Sequence, residues 1–283
     1  MKAVDYDFKN TVFSFVPNTA ESAFFGLMEG LEAKANEIKK ERILALGKNI
    51  KPKKLEKILD FKPRVEKIVV KDAKLRTFIA DNNSRGDMVS HVYDVTYGIV
   101  RNDVDTLVLL DDSIVRGTTL RDSIIQIVSR LRPKKIIIVS SAPQIRYPDC
   151  YGIDMSKMQE FVAFRALVEL LKDSGKEKML NKVYKKCKKQ CNLPREQITN
   201  QVAVLYDQFS YGEVSKKIAE IVTPRGIKPK VEVIYQTVEG LSKACPNNNG
   251  DWYFSGNYPT PGGNYVVNKS FINYMEGLDE RAY

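Results

Sequence analysis

The sequence is poor in histidine: His91 is the only one in 283 residues. A metal site built on imidazoles is therefore excluded. As a catalytic base His91 has no identifiable partner, and it reads as an ordinary polar position. Cysteine is scarce as well. Cys150, Cys187, Cys191 and Cys245, spread through a chain this long, read as reduced thiols rather than a disulfide framework. Cys187 and Cys191 share a helical face at i, i+4, but no other ligands lie near them in sequence, and metal sites of this kind need about four. No apolar run approaches the ~20 residues of a membrane-spanning helix, and "MKAVDYDFKN" does not open a signal peptide. A soluble, cytoplasmic protein with no membrane partner is expected. Two phosphate-binding signatures are also missing. Without G-x-x-x-x-G-K-[ST] a P-loop nucleotide hydrolase is excluded, and without G-x-G-x-x-G so is a dinucleotide fold.

Positive charge is not scarce. The net charge is +10, and residues 172–195 hold nine Lys/Arg against Asp173 and Glu177. Such a run reads as a solvated helical face. Tyr184 is the one aromatic within it, so no base-stacking surface is indicated and nucleic acid is not expected as a partner. The run is expected to form a helical hairpin packed on the sheet domain through Met179, Leu180, Val183 and Leu193, with its lysines in water.

The apolar pattern predicts an α/β protein. "TVFSFV" (11–16), "VEKIVV" (65–70), "TLVLLD" (106–111), "KKIIIVSSA" (134–142) and "KVEVIY" (230–235) have the β-branched, apolar character of buried strands. "TLRDSIIQIVSRL" between the third and fourth carries Leu120, Ile124, Ile127, Val128 and Leu131 on one helical face. Strand–helix–strand in that length is a βαβ unit, hence a mostly parallel sheet flanked by helices. A long helix is predicted after the first strand. Helices recur from Ser156 to Val222 with a break near Leu193 and Pro194. The Asn-, Gly- and Pro-rich residues 245–265 read as loop, and residues 269–282 as a closing helix. The expected organisation is a core over 1–165, a basic helical insertion over 166–212, and a return to the core over 213–283.

Chemistry concentrates in "TLVLLDDSIVRGTTLRDSII" (106–125). Asp111 and Asp112 close a strand at the edge where parallel sheets bind ligands. The turn after them offers consecutive backbone N–H groups and leads into a helix N-terminus, which makes an anion nest. Gly117 permits close backbone approach, and the hydroxyls of Thr118 and Thr119 add donors. Two acids beside a phosphate cradle suit a sugar phosphate, whose vicinal hydroxyls donate to the carboxylates. A bare turn cap needs only one acid.

"VLLDDSIVRGTT" resembles the phosphoribosyl pyrophosphate loop of type I phosphoribosyltransferases, in the wording of the amidophosphoribosyltransferase family. Four more stretches, in the family's order, carry the resemblance: "FVPNTAESAFFG" (15–26), "LRTFI" (75–79), "SSAPQIRYPDCYGIDM" (140–155) and "YFSGNYPT" (253–260). The resemblance implies the type I phosphoribosyltransferase fold and transfer of the phosphoribosyl group to ammonia, the opening step of purine synthesis. It implies that Asp111 and Asp112 are the catalytic pair, binding the ribose hydroxyls and lying near a Mg²⁺ carried by the pyrophosphate. Ser113, Arg116, Gly117, Thr118 and Thr119 are then expected to hold the 5′-phosphate. Pro17, Asn18, Thr19 and Ala20 are expected to meet the pyrophosphate, with Lys71, Lys74, Arg76 and Arg85 in reach of it. A homo-oligomer is compatible with this.

The chain also departs from the family. Position 2 is Lys2, where family members begin their glutaminase domain with a nucleophilic Cys. That domain and its ammonia supply are expected to lie outside this chain, which reads either as the transferase part of a longer protein or as a stand-alone relative. Asn18 stands where the family usually has Asp or Glu. "DVT" (94–96) replaces the Lys-Leu-Asn that ends the family's mobile loop, which leaves open a reading as a binding or regulatory module without catalysis. Gly250 and Tyr253 occupy the places of a C-x-x-C that holds an iron–sulfur cluster in some relatives, so no cluster is expected.

Overall fold

Strand β1 (Thr11–Phe15) is buried along its whole length, and β5 (Thr106–Asp111) is buried from its second residue to its fifth. Neither alternates apolar with polar, the signature of strands covered on both faces. A computed structural model describes residues 1–47, 50–71, 93–152, 155–248 and 250–282 of the chain. The numbered elements, in chain order, are β1, α1 (Glu21–Leu44), α2 (Pro52–Leu59), β2 (Arg64–Val65), β3 (Val69–Lys71), β4 (Tyr93–Val95), β5, α3 (Ile125–Ser129), β6 (Lys135–Ser140), α4 (Val162–Asp173), α5 (Lys178–Cys191), α6 (Tyr211–Val222), β7 (Lys230–Tyr235) and α7 (Pro261–Glu276). The remaining helical turns, Val238–Ala244 among them, are left unnumbered. None of the described helices is long and apolar enough to cross a membrane.

The chain divides into two units. The first comprises Met1–Asp112, Thr119–Ser141 and Pro224–Glu232; the second comprises Ser113–Thr118, Ala142–Thr223 and Val233–Tyr283. The sheet runs β2-β1-β5-β6-β7. β1 pairs parallel with β2 and β5, and β5 pairs parallel with β6, with Phe15 opposite Leu110 and Asp111 opposite Ser140. The predicted parallel α/β architecture is thus observed, flanked by helices. β5 is anchored at its start. Asp105 is wholly buried and takes charge-assisted hydrogen bonds from Arg64 Nη1 (2.8 Å) and Arg101 Nη2 (2.6 Å). Burial alone would raise this carboxyl, but the Arg101 and Arg64 bonds outweigh it and hold it below its ordinary value.

"VEKIVV" is not one strand. Val65 ends β2, while Val69 and Val70 begin β3, which pairs antiparallel with β4 in a separate two-stranded sheet. The switch lies at residues 66–68, where Glu66 N–H donates to Phe13 O (2.9 Å) and Ile68 N–H to the Ser14 hydroxyl (3.0 Å). An apolar run gives no sign of such a change of partner.

The second unit is built on Phe164, Leu167 and Leu171 of α4, Leu180, Val183 and Cys187 of α5, and Val267 and Phe271 of α7. In α5 the buried residues recur at i, i+3 and i+7 while Lys178, Lys182, Lys185 and Lys189 face water, as an amphipathic helix requires. Leu193, expected to pack, is 40% exposed instead, because the helix has already ended at Cys191. The closing helix starts earlier than composition suggested. Pro261 occupies a first-turn position, where its missing N–H costs nothing. A Cβ on Gly263 would lie 2.2 Å from the Tyr258 ring, so this helical glycine exists for packing and not for a turn. Gly277, at φ 68°, ends the helix. A further short helix, Trp252–Ser255, falls inside the expected loop.

Candidate functional site

The acidic pair belongs to the first unit, and strand register positions it. Asp111 is the last residue of β5; its carbonyl accepts from Ser141 N–H (2.9 Å), and the Asp112 carbonyl accepts from the Ser141 hydroxyl (3.0 Å). Asp112 N–H donates to Asp111 Oδ1 at 3.0 Å. Burial, and then the negative charge of Asp112, pushes the Asp111 carboxyl up to about 8, and no cation among the described residues offsets them. The Phe15–Leu110 pairing, extended by Val16 N–H to Leu110 O (2.8 Å), sends residues 17–20 out at the same end of the sheet. There Pro17 and Ala20 are buried, and Asn18 and Thr19 are exposed. The Pro17–Asn18 peptide bond is cis.

Tyr93 was not among the residues singled out from sequence. Its phenol is raised by burial and then by the charges of Asp111 and Asp112, which places it beside the pair. It also sits opposite Lys71 in the β3–β4 ladder, with Lys71 Nζ 5.7 Å from its ring centroid. Lys71 is thereby linked to the acidic pair through Tyr93. Arg76, Lys74, Arg85, His91 and the "LRTFI" stretch lie outside the described residues.

Ser113, Arg116, Gly117 and Thr118 belong to the second unit, where long-range contacts hold the turn. Val162 N–H, at the start of α4, donates to Val115 O (2.8 Å), and Arg165 donates through Nη2 to Arg116 O. The Arg116 guanidinium donates from Nε to Glu160 Oε2 at 2.7 Å. Gly117 has φ 73°, and a Cβ there would lie 2.9 Å from Val222 Cγ1 and 3.3 Å from Val162 Cγ2. Both the conformation and the space demand glycine. Thr118 and Thr119 are exposed; from Thr119 the chain, back in the first unit, enters a π-helical turn, Leu120–Ile124, that tightens into α3. π-Helical turns recur at functional sites. Val162, Glu160, Arg165 and Val222 carry no signal of this role in the sequence.

Also within the second unit, two of the other singled-out stretches meet. Arg146 N–H (2.8 Å) and Tyr147 N–H (3.1 Å) both donate to Tyr253 O, and Tyr253 Oη donates to Asp149 Oδ1 at 2.6 Å. Tyr258 Oη donates to Pro148 O. The Arg146 guanidinium lies 4.8 Å from the ring centroids of both Tyr206 and Tyr211. "IRYPD" and "YFSGNY" thus form one packed element.

Fold and site together define an α/β protein with a mostly parallel sheet and a carboxylate pair at the carboxyl end of a central strand. Comparison with known proteins gives a more particular likeness. Over 75 residues, 26% of this chain and 15% of the relative, it is 44% identical to the amidophosphoribosyltransferase of Pasteurella multocida. Over 57 residues, 20% of this chain and 11% of the relative, it is 47% identical to that of Escherichia coli. These matches therefore span less than a sixth of the curated relatives' length. No family model matches the chain. Among solved structures, the glutamine phosphoribosylpyrophosphate amidotransferase of B. subtilis, complexed with ADP and GMP, aligns over 89% of this chain and 38% of that one, at TM-score 0.45 and 20% identity. The sequence matches find, over those 57–75 residues, the resemblance to amidophosphoribosyltransferases that the motifs carry.

Proposed function

We propose that the chain is a type I phosphoribosyltransferase that transfers the phosphoribosyl group of phosphoribosyl pyrophosphate to ammonia. The product is 5-phosphoribosylamine, and the reaction opens purine nucleotide synthesis. The observation that supports this is the carboxylate pair ending β5, followed at once by a turn whose Gly117 has a left-handed conformation and little room for a side chain. In this reading Asp111 and Asp112 accept hydrogen bonds from the two ribose hydroxyls. The charge of Asp112, and of Asp111 once it has released its proton, stabilises the positive character that develops at C1 as its bond to pyrophosphate breaks and the C–N bond forms. Ammonia gives up a proton in the same step. Ser113, Arg116, Gly117, Thr118 and Thr119 hold the 5′-phosphate, and Pro17, Asn18, Thr19 and Ala20 meet the pyrophosphate.

The donor set at the pair fits Mg²⁺. Two carboxylates are hard oxygen ligands, and no group of three or more His, Cys, Asp or Glu able to hold a metal exists among the described residues. That suits an ion bound by one or two carboxylates together with substrate phosphates. Once bound, Mg²⁺ would neutralise charge on the departing pyrophosphate. A cytoplasmic location and use of ammonium salts, not glutamine, by the purified 283-residue chain belong to the same proposal.

Calorimetry with phosphoribosyl pyrophosphate and Mg²⁺ tests the reading. Asp112→Ala should weaken binding strongly, since each charge-assisted hydrogen bond lost is worth about 1.5–3 kcal/mol. Unchanged affinity in that variant sinks the assignment. A second reading, a binding module without catalysis, is favoured by one observation. Asp94 and Val95, where relatives carry a basic loop end, are built into β4 against Val70 and Val69. Tight binding with no phosphoribosylamine formed from ammonium salts would select it.

A further inference from the structure

The two-stranded sheet β3–β4 has an inner and an outer face. Val69 and Val95 lie opposite each other in the ladder and are 1% and 7% exposed, whereas Val70 is 42% exposed and its partner Asp94 is exposed as well. Side chains alternate along a strand, so the next pair, Lys71 and Tyr93, shares the inner face with Val69 and Val95. Two contacts fasten this small sheet within the first unit: Ile68 N–H donates to the Ser14 hydroxyl of β1 (3.0 Å), and β4 packs against α3. Ser14 in turn lies opposite Leu109 of β5. Three residues of strand, about 10 Å, lead from Ile68 to Lys71, and two, about 7 Å, lead from Leu109 to Asp111. The Lys71–Tyr93 pair thus reaches the level of the acids, and the charges of Asp111 and Asp112 act on the Tyr93 phenol.

A polyanion brought against two carboxylates meets like charge, which hydrogen-bond donors and cations must offset. The Lys71–Tyr93 pair offers one of each. The phenol is a neutral donor whose hydroxyl has no hydrogen-bond partner among the described residues. The Lys71 ammonium, 5.7 Å from the Tyr93 ring centroid, is within the range in which an aromatic face attracts a cation. Residues 17–20 leave β1 at the same end of the sheet. We infer that Tyr93 contacts the substrate: its hydroxyl donates to a pyrophosphate oxygen of phosphoribosyl pyrophosphate, while its ring holds the Lys71 ammonium toward the same group. This rests on the reading of the chain as a phosphoribosyltransferase. The contribution of Tyr93 is confined to the leaving group, and a ligand that ends at the ribose does not meet it.

The test is calorimetry of the full chain with two probes, phosphoribosyl pyrophosphate and ribose 5-phosphate, each with Mg²⁺, on wild type, Y93F, Y93L, K71A and the double variants K71A/Y93F and K71A/Y93L. Y93F removes only the hydroxyl and keeps the ring that packs on the inner face. It is expected to weaken phosphoribosyl pyrophosphate roughly tenfold, the lower end of what a hydrogen bond to a charged group is worth. Affinity for ribose 5-phosphate should stay within about twofold of wild type, the difference that separates a contact to the pyrophosphate from a general role in the fold. Y93L removes the ring as well and should cost more than Y93F, but in the K71A background the two should cost the same. Unchanged affinity for phosphoribosyl pyrophosphate in Y93F, or an equal loss with both probes, overturns the inference alone. A wild-type chain that does not bind phosphoribosyl pyrophosphate overturns the reading of the site itself, an outcome visible before any substitution is made.

Discussion

Asp111 and Asp112 and the turn that succeeds them are adjacent in sequence but are fixed by different means. The pair is set by a ladder: β5 lies between β1 and β6, its start is pinned by Asp105, and its last carbonyls are taken by Ser141. The turn has no ladder. It depends on Glu160 and Arg165, 44 and 49 residues further along, and on the room left by Val162 and Val222. The first half of the motif is therefore as robust as the central sheet. The second half is only as well placed as the start of α4 and the end of α6.

That contrast can be broken at either end. The largest effect is expected at Asp105. Asp105→Ala should cost about 3 kcal/mol in urea unfolding, the lower end for breaking a buried charge pair because both guanidiniums keep contact with water. With the folded carboxyl held below 3.8, this stability is present above that pH and is lost as pH falls through the lower folded value. A loss under 1 kcal/mol would mean that the β5 ladder needs no anchor. On the side of the turn, Gly117→Ala forces a left-handed conformation on a side chain that also meets Val222. It should cost about 2 kcal/mol, and Val222→Ala should recover the steric share. If Gly117→Ala leaves stability and ligand affinity unchanged, the turn is freer than its contacts imply.

An effect opposite in sign is expected at Asp111. Its folded carboxyl titrates near 8 against 3.8 for the free group, so the native state keeps a proton that the unfolded chain releases. Stability falls as pH rises between those values. Asp111→Asn should therefore unfold at higher urea than wild type, with a larger gap at pH 8 than at pH 5. An identical gap at both pH values would deny the burial of this carboxyl. The smallest effect belongs to the basic stripe of α5. Replacing Lys178, Lys182, Lys185 and Lys189 with Glu should change ligand affinity by less than about twofold at physiological salt, where exposed charges are screened. A salt-sensitive nucleic-acid complex lost in that variant would reverse the reading of the stripe as a solvated face.

By itself the sequence determined the features that short-range pattern encodes. β-Branched runs named the strands β1, β5, β6 and β7, and 3.6-residue spacing put Leu180 and Val183 in a core and the lysines of α5 in water. The motif "DDSIVRGTT" placed two acids, a glycine and two threonines in one segment because its chemistry is local. Tertiary structure alone decided where an apolar run changes sheets, as between Val65 and Val69, since either pairing buries the same side chains. It also decided that Gly262 and Gly263 lie inside α7, because the space that Tyr258 needs is invisible to composition. Tyr93 beside the acidic pair and Glu160 on Arg116 were likewise settled only by the fold. A tyrosine or a glutamate is commonplace in sequence, and its role depends on which distant backbone brings it within hydrogen-bonding or Coulombic reach.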